Sequence, residues 1–388
     1  MKRIFFIMLF ASLIFSAKAQ VNRVITTGVP FLMVAADARS AGLADQGVAT
    51  SMDAFSQQYN PAKYAFAEDK MGFSASYTPY LTGLVNDISL GQITFFTKLN
   101  ERSAFAGSLR YFGLGEINQT NVNGDPLGNV FPNELAADGS YSLKLSEKFS
   151  MGIAARYIRS NLRIATESGD AAAAQTFAVD VSGFFQSEEV ALESFNGRWR
   201  AGFNFQNLGP KINYDDTRFN ANFLPANLRL GAGYDFGFDE YNKITVLAEL
   251  GKLLVPTPVD PDINGDGAIS ASERSQAVND YNKISWTDGL FKSFGDAPGG
   301  FAEEMKEVTY SIGAEYNYQD SFALRLGYFN ENEMKGARKF FSLGAGFKYN
   351  VVKLDVSYLF SASQVRNPLE NTLRFSLTFN FGEKYQNN

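Results

Sequence analysis

The chain has 388 residues, with 35 Lys and Arg against 41 Asp and Glu, and it contains no cysteine and no histidine. These absences exclude disulfides, thiolate nucleophiles, imidazole bases and zinc sites built from Cys and His. The net charge of -6 disfavours nucleic-acid binding, which needs a basic surface. Aromatic residues make up 14% of the chain, yet the mean hydropathy is -0.16, so apolar and polar residues are interleaved.

Residues 1–19 have the organisation of a secretory signal peptide. A basic start is followed by an apolar run, and the small residues Ala17 and Ala19 precede a predicted cleavage site before Gln20. The apolar run is shorter than the roughly 20 residues that a membrane-spanning helix requires. We therefore expect an exported chain, and any part of it that crosses a membrane must do so with strands.

From residue 71 onward, apolar and polar residues alternate with a period of two. Near the end of the chain, for example, Leu373, Phe375 and Leu377 alternate with Arg374 and Ser376. This pattern is typical of strands with one apolar face, and the segments have the length of tilted strands that cross a bilayer. The 14 predicted strands are residues 71–79, 88–98, 103–113, 139–146, 149–159, 175–186, 198–206, 226–237, 243–254, 307–317, 321–330, 339–349, 351–362 and 371–382.

The connections between these strands alternate between long and short almost without exception. The longest, residues 255–306, is followed by a turn at 318–320. Bacterial outer-membrane barrels have an even number of strands, short periplasmic turns and longer outer loops, and their closure satisfies every backbone group. The sequence therefore predicts an all-β fold, a 14-stranded antiparallel transmembrane β-barrel at residues 71–382, followed by a periplasmic tail at 383–388.

The predicted inward face of the barrel carries charges of both signs. These charges could line a selective channel, or they could pair across strands in a filled lumen. We favour the filled lumen because of the segment that precedes the barrel. The inward charged residues are Arg156, Asp180, Arg200, Arg229, Asp235, Glu249, Glu315, Arg325, Lys348, Lys353, Asp355 and Arg374.

Residues 20–70 lack strand alternation and are rich in small and turn-forming residues, among them Gly28, Pro30 and the run Asn60-Pro61-Ala62. The segment is too polar for lipid, so we predict an N-terminal hatch, or plug, inside the barrel. A hatch with an Asn-Pro-Ala motif ahead of 14 strands resembles the FadL-type outer-membrane transporters. Residues 27–64 and the run Asn207–Ile212 are more similar to the PorV family, also called LptO, the FadL-like barrels of the type IX secretion system of Bacteroidetes.

This resemblance implies a function that the residues alone do not show. It implies a component of the Gram-negative outer membrane that binds the C-terminal signal domains of exported cargo proteins. The implied partners also include the giant translocon barrel of the type IX system and the surface attachment-complex proteins. The family has also been linked to lipopolysaccharide deacylation, so outer-membrane lipid or lipopolysaccharide is a further implied partner.

The twelve residues from Asp262 to Glu273 match the calcium-binding loop of an EF-hand. Oxygen-bearing side chains occupy the diagnostic positions, and Gly267 stands where the loop turns sharply. The alternative is an acidic turn without a metal. We predict a Ca²⁺ site of roughly millimolar affinity in the longest outer loop, and because the flanking helices look incomplete it resembles an isolated half-site. The predicted ligands are Asp262, Asn264, Asp266, the carbonyl of Ala268, Ser270 and Glu273.

The same outer loop contains several aromatic residues that are candidate anchors for a partner protein. They could equally pack within the loop or at the membrane boundary, where aromatic residues collect. The loop at residues 114–138, with Phe131 and Pro132, has the same two interpretations. The candidate partner-binding residues are Trp286, Phe291, Phe294 and Phe301.

Catalysis has little support in the sequence. The motifs G-x-S-x-G, G-x-x-x-x-G-K-[ST] and G-x-G-x-x-G are absent, and no spacing singles out a Ser–Lys or Asp-based pair. We therefore expect no catalytic residues and no enzyme. The function that we favour is a secretion-system barrel that binds protein cargo. The alternatives are a FadL-like transporter of hydrophobic small molecules and, less favoured, a lipid-A-modifying enzyme.

Overall fold

The computed structural model describes residues 23–162, 173–214, 221–363 and 367–382. The signal peptide predicted at 1–19 and the tail predicted at 383–388 lie outside these residues. Seventeen strands occur in the described part of the chain: β1 (Met71–Pro79), β2 (Ile88–Lys98), β3 (Ser103–Leu114), β4 (Ile117–Thr120), β5 (Pro126–Val130), β6 (Asn133–Ser146), β7 (Phe149–Asn161), β8 (Ala174–Gln186), β9 (Val190–Ala191), β10 (Asn196–Leu208), β11 (Asn227–Gly237), β12 (Asn242–Leu253), β13 (Thr309–Tyr318), β14 (Phe322–Asn330), β15 (Lys339–Tyr349), β16 (Val352–Ser361) and β17 (Leu373–Phe381).

Fourteen of these strands form one closed antiparallel barrel, as the sequence predicted. Each of these strands pairs with the next along the chain, β1 pairs with β17, and β10 pairs with both β8 and β11. The other three strands lie outside the barrel wall: β4 and β5 form a separate hairpin, and β9 pairs with the start of β10. The closed ladder leaves the barrel with no free edge strand, which is the condition for strands to cross a bilayer.

The two faces of each strand have opposite chemistry. On β17 the apolar residues Leu373 and Phe375 are 48% and 44% exposed on the outside, whereas Arg374 and Ser376 are buried inside. Exposed apolar side chains on every strand form an outer surface that matches lipid rather than water.

Eleven of the twelve charged residues that the sequence predicted on the inner face form ion pairs. Arg325 contacts Glu315 at 2.6 Å and Asp355 at 2.8 Å, and Arg156 contacts Asp138 at 3.1 Å and Asp180 at 2.8 Å. Buried charges of this kind are tolerated only where a partner of opposite sign is close. Ion pairs of this kind also involve Arg200, Arg229, Asp235, Glu249, Lys353 and Arg374.

The ends of the barrel strands agree with the prediction to within two residues, except in one strand. Strand β6 begins at Asn133, not at residue 139, because Glu134 and Asp138 belong to the polar inner face and were read as loop. The preceding loop is also not irregular, since residues 117–130 form the β4–β5 hairpin.

Five short or medium helices occur in the described residues, and none of them is both long and apolar enough to span a membrane. Two helices precede the barrel, and three lie in the connection between β12 and β13. They are α1 (Ala38–Gly42), α2 (Ser56–Tyr59), α3 (Ala271–Lys283), α4 (Trp286–Lys292) and α5 (Phe301–Glu304), with 3₁₀ turns at Pro30–Met33, Pro61–Phe66 and Met305–Glu307.

Residues 23–70, which we call the luminal segment, pack inside the barrel. Almost every residue from 29 to 67 is buried. Backbone N–H groups of the segment donate to side chains of strands on different sides of the wall, so the strands surround it. These contacts are Ala38 to Ser376 at 2.8 Å, Ala44 to Ser342 at 2.9 Å, Gly47 to Glu249 at 2.9 Å and Ala62 to Ser182 at 3.1 Å.

Candidate functional site

The luminal segment is attached to the wall most strongly through Arg39 of α1. Its guanidinium binds Glu315 of β13 through two N–H groups, at 3.1 and 2.9 Å. It also donates to Asp53 at 2.7 Å and to the Ser51 hydroxyl at 2.7 Å. A guanidinium with this many charge-assisted partners fixes the segment in one position.

The Asn-Pro-Ala run forms a second attachment, at a different part of the wall. The Asn60 side chain caps the following turn by accepting from the Ala62 N–H at 3.1 Å, and its amide donates to the carbonyls of Val48 and Gly183, each at 3.0 Å. A β-carbon at Gly202 of β10 would lie only 2.8 Å from the Asn60 amide nitrogen. The Asn-Pro-Ala turn therefore requires glycine at residue 202 of the wall.

A wall arginine binds three backbone carbonyls of the luminal segment. Arg110 of β3 donates to the carbonyls of Phe31, Leu32 and Val34 at 2.7 to 3.0 Å. These contacts satisfy backbone groups that the irregular segment leaves without partners. Arg110 lies 76 to 79 residues from these carbonyls in the sequence, so no local sequence pattern predicts the contacts.

Two cavities flank the luminal segment. The cavity at the short-turn end measures about 320 Å³ and is lined by charged groups such as Arg39, Asp53 and Lys353. The cavity at the long-loop end, which we call the chamber, measures about 350 Å³. Its apolar wall includes Met33, Val34, Leu253 and Phe329.

All seven ionisable residues that line the chamber have a partner of opposite charge. Glu331 pairs with Arg338 at 2.9 Å, and Asp45 lies 3.4 Å from Arg374. The chamber thus combines apolar surface with charges that are already neutralised. The ionisable residues of its lining are Asp45, Arg229, Glu249, Glu307, Glu331, Lys335 and Arg338.

Residues 254–308, which we call the long loop, carry the helices α3 to α5 above the barrel. Ser270 caps α3 in a reciprocal capping box with Glu273, and Ser285 caps α4 by accepting from the Asp288 N–H at 3.0 Å. Both caps are Ser residues that directly precede helical segments, which is the usual N-cap chemistry. The sequence contained these signals, although the helices were not predicted.

A network of charges, which we call the latch, fastens the long loop to the barrel rim. Lys252 at the end of β12 contacts Glu304 at 3.0 Å and Glu307 at 2.7 Å. Lys335, in the connection between β14 and β15, contacts Glu303 at 2.8 Å and Glu307 at 2.9 Å. The carboxyl of Glu307 is therefore shared by two ammonium groups from different connections.

The latch is largely shielded from water. The side chains of Glu307 and Lys335 are only 2% and 3% exposed. Burial alone would raise the pKa of Glu307, but hydrogen bonds from Lys252 and Lys335 outweigh it and lower that pKa. Burial would lower the pKa of Lys335, but its bonds to Glu303 and Glu307 raise that pKa. Both groups are therefore charged at neutral pH.

The predicted calcium loop lies at the surface ahead of α3. Asp262 accepts hydrogen bonds from the N–H groups of Gly265, Asp266 and Gly267 at 2.9 to 3.1 Å. Gly267 has a φ of +82°, which the sharp turn requires. Hydrogen bonds from the Ser270 hydroxyl and backbone lower the pKa of Glu273. The remaining predicted ligands, Asn264 and Ala268, belong to the same exposed turn.

The turn offers the oxygen ligands that calcium prefers, but its carboxylates do not converge on one point. Oxygen atoms dominate the turn, and the exiting helix α3 starts at the position that an EF-hand demands, while no helix enters it. Among the described residues, no group of three or more His, Cys, Asp or Glu side chains is arranged to hold a metal ion. The calcium site stays a prediction.

The candidate anchor residues differ in their exposure. Phe291 and Phe301 are each 80% exposed, and Phe294 is 52% exposed, whereas Trp286 at the start of α4 is half-buried. Exposed aromatic side chains of this kind are common anchors of protein interfaces. Their role in partner binding stays a prediction.

The family of the chain follows from a comparison with known protein families. Residues 17–260 match the model of the type IX secretion system protein PorV, which is more than half of the chain. The chain belongs to the PorV family. The predicted resemblance is thereby confirmed, and the protein is an outer-membrane barrel of a secretion family. No curated protein matches the sequence significantly.

Solved structures resemble this PorV-family chain in fold. The TodX deltaS2S3 mutant monoaromatic hydrocarbon channel aligns with a TM-score of 0.50 and 12% identity, over 89% of this chain and 99% of that one. The Ralstonia pickettii toluene transporter TbuX gives a TM-score of 0.47 at 12% identity, and a Pseudomonas aeruginosa FadL homologue gives 0.42 at 12%; each covers 90% of this chain and 99% of the other. At such low identity these likenesses show the fold alone.

Proposed function

We propose that this PorV-family barrel binds the C-terminal signal domains of exported proteins in the outer membrane. In this proposal it associates with the giant translocon barrel of the type IX system and with the surface attachment machinery. The family match carries the proposal, because the barrel fold by itself is compatible with several functions.

The filled interior supports a recognition function over a conduit function. The luminal segment occupies the barrel from wall to wall, and the cavities on either side measure only about 320 and 350 Å³. A folded signal domain is far larger than either cavity. Exported proteins must therefore pass elsewhere, and we place their recognition at the long-loop end.

Within that end, the long loop offers the best docking surface. Phe291 and Phe301 present apolar side chains to solvent, which is the usual chemistry of an interface anchor. We assign the first contact with cargo to these two residues, with Phe294 and Trp286 beside them.

The proposal is tested by gentle detergent extraction of the tagged protein from its native outer membrane, with companions identified by mass spectrometry. We expect the translocon barrel, or exported proteins with intact C-terminal domains, to be recovered. Phe291→Ser combined with Phe301→Ser should remove the exported proteins. Leu84→Ser, which alters a 77% exposed side chain in the β1–β2 loop, should not. Recovery of the barrel with neither partner contradicts the proposal.

We also propose that the turn from Asp262 to Glu273 binds Ca²⁺ and stiffens the long loop, on the strength of its ligand spacing. Titration calorimetry should detect binding of roughly millimolar affinity in the wild-type protein and none in Glu273→Gln. Glu333→Gln is the matched control, since Glu333 is also an exposed loop carboxylate. Equal heats from wild type and Glu273→Gln contradict a site in this turn.

A second candidate function, uptake of hydrophobic molecules, is favoured by the chamber. Because its charged residues are already paired, it suits a neutral apolar ligand rather than a carboxylate. Native mass spectrometry should then detect a bound apolar molecule that Ser311→Phe displaces from the chamber. Protein that is purified without any such molecule disfavours uptake. We propose no enzymatic activity, in keeping with a family of secretion components.

A further inference from the structure

The chamber and the latch share residues. Glu307 and Lys335, the centre of the latch, also form part of the chamber wall. Glu307 is the residue through which the long loop lines the chamber, and its ion pair with Lys335 forms part of the chamber wall. We propose that the long loop is a latched lid over the chamber, and that breaking the ion pairs of Glu307 opens it.

The latch joins segments that are far apart in the chain. Glu303 and Glu307 come from the long loop, Lys252 from the wall and Lys335 from the next loop of the rim. The N-terminal end of the luminal segment joins the same network, since Arg23 lies 3.6 Å from Glu303. Arg23 also pairs with Asp260 of the long loop, so the loop is tied to three neighbours, and Glu307 holds two of these ties, to Lys252 and Lys335.

The latch is balanced in charge, so its members neutralise one another. Two lysines and Arg23 face the three glutamates of the network. Each ion pair is formed by flexible side chains at a loop boundary, not by backbone hydrogen bonds in the wall. Breaking these ion pairs leaves the barrel wall intact, because the backbone pairing of β12, β13 and β14 does not depend on them.

The far side of the long loop has a different kind of attachment, which suits a hinge. There Tyr281 packs edge-on against Phe223 of the β10–β11 connection, with ring centres 5.5 Å apart. Lys211 also donates to the Asn282 carbonyl at 3.1 Å. None of these contacts involves an acidic side chain. They should therefore persist when the ion pairs of the latch break.

The test measures access to the chamber with a single cysteine. The chain has no cysteine of its own, so Ser311→Cys introduces the only thiol. Ser311 lines the chamber on β13 and is 4% exposed. A water-soluble maleimide should label it slowly in the full-length folded protein, at least about tenfold more slowly than Thr287→Cys on the exposed face of α4. Loss of a buried ion pair should speed labelling at residue 311 roughly tenfold or more.

Lys335→Gln and Glu307→Gln are the two latch variants, each combined with Ser311→Cys. Glu307→Gln keeps the shape of the side chain and removes its charge, so it carries the test if Lys335→Gln does not form a barrel. Lys283→Gln is the matched control, because Lys283 is 75% exposed and pairs only with Asp280. The proposal is overturned if residue 311 is labelled as fast as residue 287 while the latch is unaltered. It is also overturned if neither latch variant changes the rate of labelling at residue 311.

Discussion

The luminal segment and the long loop both join the same barrel, but they are held in opposite ways. The luminal segment is buried along almost its whole length and is bonded to strands around the wall. The long loop is fixed at its edges and exposes two phenylalanines at 80%. The first arrangement gives one rigid position, and the second leaves a surface for recognition.

The luminal segment and the long loop differ in how many contacts must break before they can move. Buried charge pairs such as Arg39–Glu315 are costly to break, so the filled interior is unsuited to rapid opening. The long loop also has a buried charge network, the latch, but only on one side, and a few side-chain contacts hold the rest of it, so fewer contacts oppose its opening. The interior therefore supplies stability, and the proposed binding surface lies on the long loop.

The largest expected effect comes from removing the central contact of the luminal segment. Arg39→Ala leaves the Glu315 carboxylate with one buried partner fewer, and we expect a loss of about 3–5 kcal/mol in the free energy of unfolding. Urea unfolding in lipid vesicles, followed by tryptophan fluorescence, measures it. Arg198→Ala, which removes a pair that is 29% and 47% exposed, should cost less than about 1 kcal/mol. Equal losses would mean that the interior contact is no stronger than a surface one.

A smaller effect should follow from adding one methyl group to the wall. In Gly202→Ala the new β-carbon would lie 2.8 Å from the Asn60 amide nitrogen and 2.9 Å from the Val48 carbonyl oxygen. We expect a loss of about 1–3 kcal/mol in the same unfolding assay. Gly91→Ala is the control, since the nearest atom there is 3.9 Å away. If both variants unfold alike, the wall does not press on the Asn-Pro-Ala turn.

The smallest effect on stability is expected in the long loop. Phe291→Ser changes a side chain that is already 80% exposed, so the free energy of unfolding should shift by less than about 0.5 kcal/mol. The same variant should reduce the amount of exported protein recovered with the barrel. A stable variant that still captures cargo would place recognition elsewhere on the outer loops.

The barrel itself could be predicted from the sequence because each strand is recognisable from the pattern of neighbouring residues. Alternation of apolar and polar residues identifies each strand, and lipid on the outside makes that alternation nearly uniform. The prediction was wrong where this contrast fails. Glu134 and Asp138 of β6 are buried on the polar inner face, and a search for apolar alternation read their segment as loop.

The attachments of the luminal segment and the latch could not be predicted in the same way. Arg39 meets Glu315 across 276 positions of the chain, and Lys335 meets Glu303 across 32. Such pairings depend on the closed barrel, so no spacing in the sequence reveals them. The caps of α3 and α4 did have a local signal, the pairs Ser270/Glu273 and Ser285/Asp288.

The most direct test of recognition by the long loop is photo-crosslinking during secretion. A photoreactive phenylalanine analogue placed at residue 291 should crosslink to the C-terminal domain of an exported protein, and the same analogue at residue 84 should not. Peptide mapping by mass spectrometry identifies the crosslinked domain. Crosslinks to exported proteins from residue 84 but not from residue 291, or from neither residue in actively secreting cells, would contradict the account.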